Sequence, residues 1–362
     1  MKRPIEIFSV GTDFIQVVMR ADGPHELRVG DETQALDGPI GVATFGDLTP
    51  GTRHDVMFDG RPVARPSTLP LPSGALLAKV ATVSDTHIGE TGFLHYPRMR
   101  SQPRGARFAE AHPVWALRAA AGEIDAWAPA AVVVKGDLSH TDSAEEFELA
   151  IEILHSIRAP LIAEQGNHDG GNHQDCDAVA VAAGLGLTFD RGVVSHRVGA
   201  ANVLMVESNV VGKSSGSVRA HTTAAVAAID PSVPTLVFLH HQLARWPIPT
   251  FIPVGVHQPE ANEFLRSISG ASTRLLVSSG HSHRNRARRS HGIPVTEVGS
   301  TKDFPGVWAG YEIYEGGIVQ SLHRITDPRV LAWTESTRRA MFGTWGLWSP
   351  GRLDDRSLSY RW

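Results

Sequence analysis

The sequence predicts two unlike parts, a small all-β domain followed by a larger α/β domain of layered sheets. Three observations carry that expectation. Residues 5–10, 14–19 and 26–29 alternate apolar and polar side chains between turn clusters containing Asp-Gly or Gly-Asp, the period of half-buried antiparallel strands. From residue 76 onward, short apolar runs alternate with segments of helical length and spacing, the pattern of a layered α/β domain. Between the two, residues 61–74 hold four prolines without periodicity, as a linker does. The expected boundaries are 1–65 for the β domain, 66–75 for the Pro-rich linker, 76–325 for the α/β domain and 326–362 for a C-terminal helix and aromatic tail.

Within the α/β part, residues 77–83 are the first expected buried strand, 114–127 the first helix and 131–134 the second strand. Ser143 with Glu146 makes a capping box ahead of a helix whose apolar face is Phe147, Ala150, Ile151 and Leu154. Strands follow at 160–163, 203–206, 235–239 and 275–277, then a meander through 293–298 and 311–319. The C-terminal segment carries Trp333, Trp345, Trp348 and Trp362, half of the eight tryptophans. Such a tail is expected to dock on the protein itself or on a second subunit.

Composition narrows the function. The chain has 362 residues, 42% hydrophobic and 20% charged, enough for a sizeable core and unlike a disordered chain. Thirty-four Lys and Arg against 38 Asp and Glu give a net charge of -4. No basic excess is there to hold a phosphate backbone, so a general nucleic-acid binder is not expected. The single cysteine, Cys176, leaves no intrachain disulfide framework and agrees with a reducing compartment. Charged and polar residues interrupt the N-terminus, and the longest mainly apolar stretch, 178–187, is too short to span a bilayer. A soluble, cytoplasmic protein without membrane attachment is expected.

The 18 histidines are not scattered evenly. Each expected buried strand of the α/β part ends in a polar cluster: Asp85 and His87 after the first, Asp137 after the second, and Asn167, His168 and Asp169 after the third. His240 and His241 end the 235–239 strand, and His281 and His283 end the next. In open α/β sheets, ligands bind beyond the carboxyl ends of strands, so these clusters are expected to share one crevice. Asp85, His87, Asp137, Asn167, His240, His281 and His283 offer oxygen and imidazole donors without thiolate, a set suited to first-row transition metals. Seven donors exceed what one open catalytic metal needs and suit two metals sharing a carboxylate. Taken singly, Asp137 could be a helix N-cap and Asn167 an ordinary turn residue. His25, His54, His112, His155, His173, His221 and His323 are expected to be surface or packing residues, and 283–289 a solvated basic face or an anion-attracting rim.

In this order, D-x-H (Asp85, His87), G-D (Asp137), G-N-H-D (Asn167, His168, Asp169), H (His240) and G-H-x-H (His281, His283) resemble the calcineurin-like metallophosphoesterase superfamily over residues 76–319. The resemblance implies a four-layer α/β/β/α sandwich, two divalent or trivalent transition-metal ions drawn from Mn, Fe and Zn, and phosphoester hydrolysis by a water or hydroxide that the two metals share. It implies Asp85, His87 and His283 as ligands of one metal, Asn167, His240 and His281 of the other, and Asp137 as the bridge. His168 would be the general acid, oriented by Asp169. Residues 47–60 resemble part of a fibronectin type III module, with His54 where that family has tyrosine.

Among superfamily branches, the motifs are most similar to the class III cyclic-nucleotide and glycerophosphodiester phosphodiesterases. Purple acid phosphatases have D-x-G in the first motif and a metal-binding tyrosine where this chain has His140. The resemblance therefore implies a small-molecule phosphodiester substrate, with a phosphomonoester as the alternative and a metal-poor protein-binding scaffold as a third possibility. The stretch 89–108 is expected to rim the pocket or to be an ordinary surface loop. As a rim it offers His95, Tyr96 and Arg98 to substrate, and His241 is a further candidate contact. Homo-oligomerisation stays open.

Overall fold

The computed structural model describes residues 4–93, 96–101, 107–170, 177–247 and 253–362, without the side chains of 96–98. Two sheets face each other at its centre. One has seven strands in the order Phe189–Asp190, Leu161–Glu164, Ala131–Lys135, Leu76–Val83, Val307–Tyr314, Gly317–Arg324 and Ser357–Arg361. The first four run parallel, and Val307–Tyr314 and the two strands beyond it pair antiparallel. The other sheet has six strands, of which Ala201–Val206, Thr235–Leu239, Leu275–Ser279 and Ile293–Glu297 are parallel neighbours.

Strand alternation decides how the layers stack. In the seven-stranded sheet, Val80, Ala131 and Val133 point into the core shared with Met205, Phe238 and Leu276 of the second sheet. Their neighbours Ala81, Val83, Val132 and Val134 face outward, against Leu117, Ala120 and Ile124 of helix His112–Trp127 and Phe147, Ile151 and Leu154 of helix Ala144–Leu154. On the far side, Leu204, Val237, Leu239 and Val277 pack against Phe264, Leu265 and Ile268 of helix Gln258–Ala271. Sheets buried on both faces need a period-2 pattern with both phases apolar, which is why these strands read as continuous apolar runs. The result is the expected four-layer α/β/β/α sandwich. No helix among the described residues is long and apolar enough to cross a membrane.

The N-terminal residues form a three-stranded sheet (Ile5–Val10, Ile15–Met19, Gly41–Phe45) and a four-stranded one (Glu32–Asp37, Pro24–Val29, Val56–Phe58, Arg61–Ala64) around their own core of Ile15, Val17, Leu27, Phe45 and Val56. This unit is fastened to the main body. Phe8 and Val18 enter the inter-sheet core, Gln16 exchanges hydrogen bonds with the Arg324 backbone, and Arg20 pairs with Glu335 at 2.8 Å.

Local differences from the sequence expectation have physical causes. Arg61–Ala64, the start of the proline-containing run 61–74, is a strand of the β domain; it lies at a sheet edge, where proline is tolerated. At the helix after Ser143, half the capping box forms. Ser143 Oγ accepts from the Glu146 amide, while the Glu146 carboxylate accepts from the amides of His140 and Thr141. The basic run after His283 is not wholly solvated, because Arg284 is buried against Glu297, at 2.6 Å, and under the Trp348 ring. His112 and His323 are packing residues, stacked on Trp333 and Trp308 respectively. The aromatic tail docks on the protein: Ser357–Arg361 completes the edge of the seven-stranded sheet.

Candidate metal centre

The polar clusters stand at the carboxyl ends of the parallel strands of both sheets. Beneath them the sheets are tied together: buried Lys135 at the end of one strand donates to the Ser279 carbonyl of the other sheet at 2.9 Å. The chain must leave each strand abruptly here, and the backbone records it. Asp85, His87, Asp137, His281 and His283 all have positive φ, between 44° and 62°. Non-glycine residues adopt this conformation at a cost that surrounding structure must hold, and such strain concentrates at functional sites. Gly136, at φ 80°, lies so close to Gly166 that a Cβ there would strike its backbone, so the two loops meet only because both residues are glycine.

The seven expected donors converge. Asp137 Oδ2 lies 3.3 Å from His240 Nε2 and 3.5 Å from His87 Nε2, between two groups of side chains. On one side, His87 Nε2 faces His283 Nε2 at 3.2 Å, and His283 Nε2 is 3.6 Å from Asp85 Oδ1. On the other, His240 Nε2 is 3.3 Å from Asn167 Oδ1 and 3.1 Å from His281 Nδ1. Two tautomers are set from behind. His240 Nδ1–H donates to the Lys135 carbonyl at 2.7 Å, and His283 Nδ1–H to the Asp303 carboxylate at 2.7 Å. Each ring therefore turns its Nε2 toward the cluster, the arrangement of outer partners that orients metal-binding imidazoles.

Electrostatics test whether this set fits cations. Burial holds His87 and His281 well below the usual imidazole range, with neighbouring histidines adding to the effect, so both are neutral rings with a lone pair to offer. Burial opposes charge at His240 as well, but Asp137 overcomes it and raises that group to about 10. Asp137 in turn stays well below the usual carboxylate range, because His240 and His168 outweigh its desolvation. The cluster thus demands positive charge at its centre. Lone pairs and carboxylate oxygens facing one another at these distances are what cations satisfy, and groups of at least three such donors recur among these residues. The residues present fit two metal ions.

The expected pairing of His168 with Asp169 is not formed. His168 Nδ1–H donates to the His140 carbonyl at 2.9 Å, whereas both Asp169 oxygens are used on backbone amides, those of Ser139 at 2.9 Å and Gly166 at 3.0 Å. Asp169 therefore holds the loop, and the carbonyl of His140 orients the His168 ring. Burial and nearby Asp137 raise Asp169 to about 7. His241 is fully buried, with Nδ1 at 3.0 Å from Ser208 Oγ and its ring against His240 and His281. Its ring nitrogen lies with those of His240 and His281 in one group of possible metal donors, at the edge of the cluster. His95 lies outside the described residues, as do the side chains of Tyr96 and Arg98.

A cavity of about 420 Å³ opens over the cluster, walled by His87, Asp137, Asn167, His168, His281 and His283, and also by Glu90, His140, Lys302, Met341 and Trp345. The sequence reading missed Glu90, Lys302 and Asp303. Lys302 is buried between the Glu90 and Asp303 carboxylates, at 2.5 and 2.9 Å. The available signal was the run Gly299–Asp303: another polar cluster just beyond a buried strand, here Ile293–Glu297.

Comparison with solved structures gives the same fold. A purple acid phosphatase from yellow lupin (Lupinus luteus) seeds is similar with a TM-score of 0.50 at 10% identity, over 88% of this chain and 71% of that one. A dimetal phosphatase from Danio rerio is similar with a TM-score of 0.51 at 12% identity, over 79% of this chain and 99% of that one. No family model and no curated protein matches the sequence. The likeness is one of fold, shared with these two phosphatase structures.

Proposed function

We propose that the protein is a metal-dependent phosphoester hydrolase acting on phosphodiesters. The observation that carries this is the convergence of seven oxygen and imidazole donors from five strand ends around Asp137. Asp85, His87 and His283 would hold one ion and Asn167, His240 and His281 the other, with Asp137 shared; Mn, Fe and Zn suit such donors. When bound, two such ions supply Lewis acidity, lowering the pKa of water and offsetting phosphoryl charge.

The remaining chemistry belongs to the chain. In hydrolysis a water loses one proton as its oxygen bonds to phosphorus, the P–O bond to the leaving group breaks, and the departing oxygen takes one proton, so no net proton is consumed. His168 stands on the cavity wall with Nδ1–H committed to the His140 carbonyl, so Nε2 is the nitrogen from which it would give the departing oxygen a proton. General-acid help of this kind is worth about 10²–10⁴-fold. Residues 76–325 would form the catalytic body and 1–65 a fibronectin III-like module fastened to it.

Two sequence features favour a diester: the D-x-H and G-H-x-H motifs of the class III branch, and His140 in place of a tyrosine. The names of the two similar structures favour the alternative, a phosphomonoesterase. The test is hydrolysis of bis-nitrophenyl phosphate against nitrophenyl phosphate by metal-loaded protein, with elemental analysis. The expected result is close to two transition-metal ions per chain, chelator-sensitive turnover and faster diester cleavage. Faster monoester cleavage selects the alternative; no bound metal and no turnover with added Mn²⁺ would overturn the enzyme and favour a scaffold.

A further inference from the structure

The cavity over the metal cluster has two chemically opposite walls. One consists of imidazoles and carboxylates; the other includes Met341 and Trp345, contributed by the segment after helix Pro328–Thr337. At about 420 Å³ the space falls in the range of about 300–1,000 Å³ that holds whole small molecules, more than a phosphoryl group fills. Trp345 is fixed in place: its ring packs on Phe93 at 5.4 Å and Trp348 at 5.3 Å, within an apolar cluster that includes Phe304, Trp333 and Ala340.

Met341 is presented by an unusual turn. Met341, Phe342 and Gly343 have φ of 51°, 57° and 84°, three successive left-handed residues of which two carry side chains. Strain of this kind persists where the surroundings impose it. Its outcome is to set Met341 at the cavity and to leave Phe342 wholly in solvent, while Leu347, six residues after Met341, is 84% exposed. Three exposed large apolar side chains within seven residues, one of them on the cavity wall, mark a surface that meets apolar material.

We propose that the site selects amphiphilic phosphoesters: the phosphoryl group lies at the His/Asp cluster, and an alkyl or aryl group of the ester lies along Trp345 and Met341. This rests on the phosphoester reading above and names its substrate class. An ester with a small polar organic group would leave this wall against water.

The experiment uses p-nitrophenyl alkyl phosphodiesters with methyl, butyl and octyl groups, so that the leaving group stays constant. With the metal-loaded full chain, kcat/KM should rise by up to about fourfold per methylene that follows the wall. Met341→Asn, which tolerates a left-handed backbone, should flatten the series, as should Trp345→Ala if circular dichroism shows it folded. Rapid turnover that is independent of chain length, or that falls with it, would overturn the apolar wall and leave the hydrolase standing. If no ester is cleaved, calorimetric binding of methyl- and octylphosphonate separates the two ideas. Tighter binding of the octyl compound keeps the wall and removes the hydrolase; equal or absent binding removes both.

Discussion

Replacing Asp303 tests the proposed metal centre from outside its donor set. Its Oδ2 accepts from His283 Nδ1 at 2.7 Å and from Lys302 Nζ at 2.9 Å, and the residue is fully buried. Burial alone would raise its carboxyl, but Lys302 and His283 hold it well below the usual range, so a full negative charge stands behind the ring. Asp303→Asn keeps the shape and an oxygen that can accept from His283 but deletes the charge; Asp303→Leu deletes both. Lys302 retains Glu90 in either variant, which spares the fold the cost of an unpaired buried cation. Outer partners of metal-binding histidines are worth about 10–100-fold in metal affinity, or about 1.4–2.7 kcal/mol. The asparagine should fall near the lower end and the leucine near the upper. The assay is calorimetric titration of chelator-stripped protein with Mn²⁺, with circular dichroism as the control for folding. A folded Asp303→Leu protein with unchanged metal affinity would refute the assignment of His283 as a ligand oriented from behind.

Three further outcomes are expected. His168→Ala should keep both metals and lose far more kcat on alkyl than on nitrophenyl leaving groups, within about 10²–10⁴-fold. Equal losses would make His168 a phosphate-positioning residue, and lost metal would place it among the ligands. His323 is held neutral by burial, with its pKa lowered from 6.5 to about 3. The unfolded chain therefore binds the extra proton, and stability contributed by the neutral ring is lost as pH falls below about 6.5. Between pH 7 and pH 5 this amounts to about 2 kcal/mol. His323→Phe, which keeps the stack on Trp308, should remove that part of the slope in urea unfolding at the two pH values, and an unchanged slope would contradict it. A chain beginning at Ser73 keeps every proposed ligand but loses Phe8 and Val18 from the inter-sheet core. It should bind metal with a lower melting temperature; a soluble product unable to bind metal would show that the module shapes the site.

The strands and the donors were legible in the sequence because both are local signals. Thr235–Leu239 and Ile5–Val10 have the expected bounds, since an apolar run or a period-2 alternation declares itself within a few residues. The motif residues were found because each follows its strand directly, so the strand end and its donor are neighbours in sequence as well as in space. The tail strand Ser357–Arg361 gave no such signal; its pairing with Gly317–Ser321 is a long-range contact that no local pattern encodes.

What the sequence by itself determined is the layered α/β architecture and the seven donors that its sheets carry to one edge, because burial patterns and strand-end chemistry are properties of short segments. What only the tertiary structure decided is everything that depends on which segments meet. It replaced Asp169 by the His140 carbonyl as the partner of His168, and put Asp303 and Lys302 behind His283. It buried His241 against His240 and His281 and brought Met341 and Trp345 from the far C-terminus to the cavity wall. Hydrogen bonds and apolar contacts act over a few ångströms of space, and residues separated by dozens to hundreds of positions are brought within that range only when the sheets close on each other.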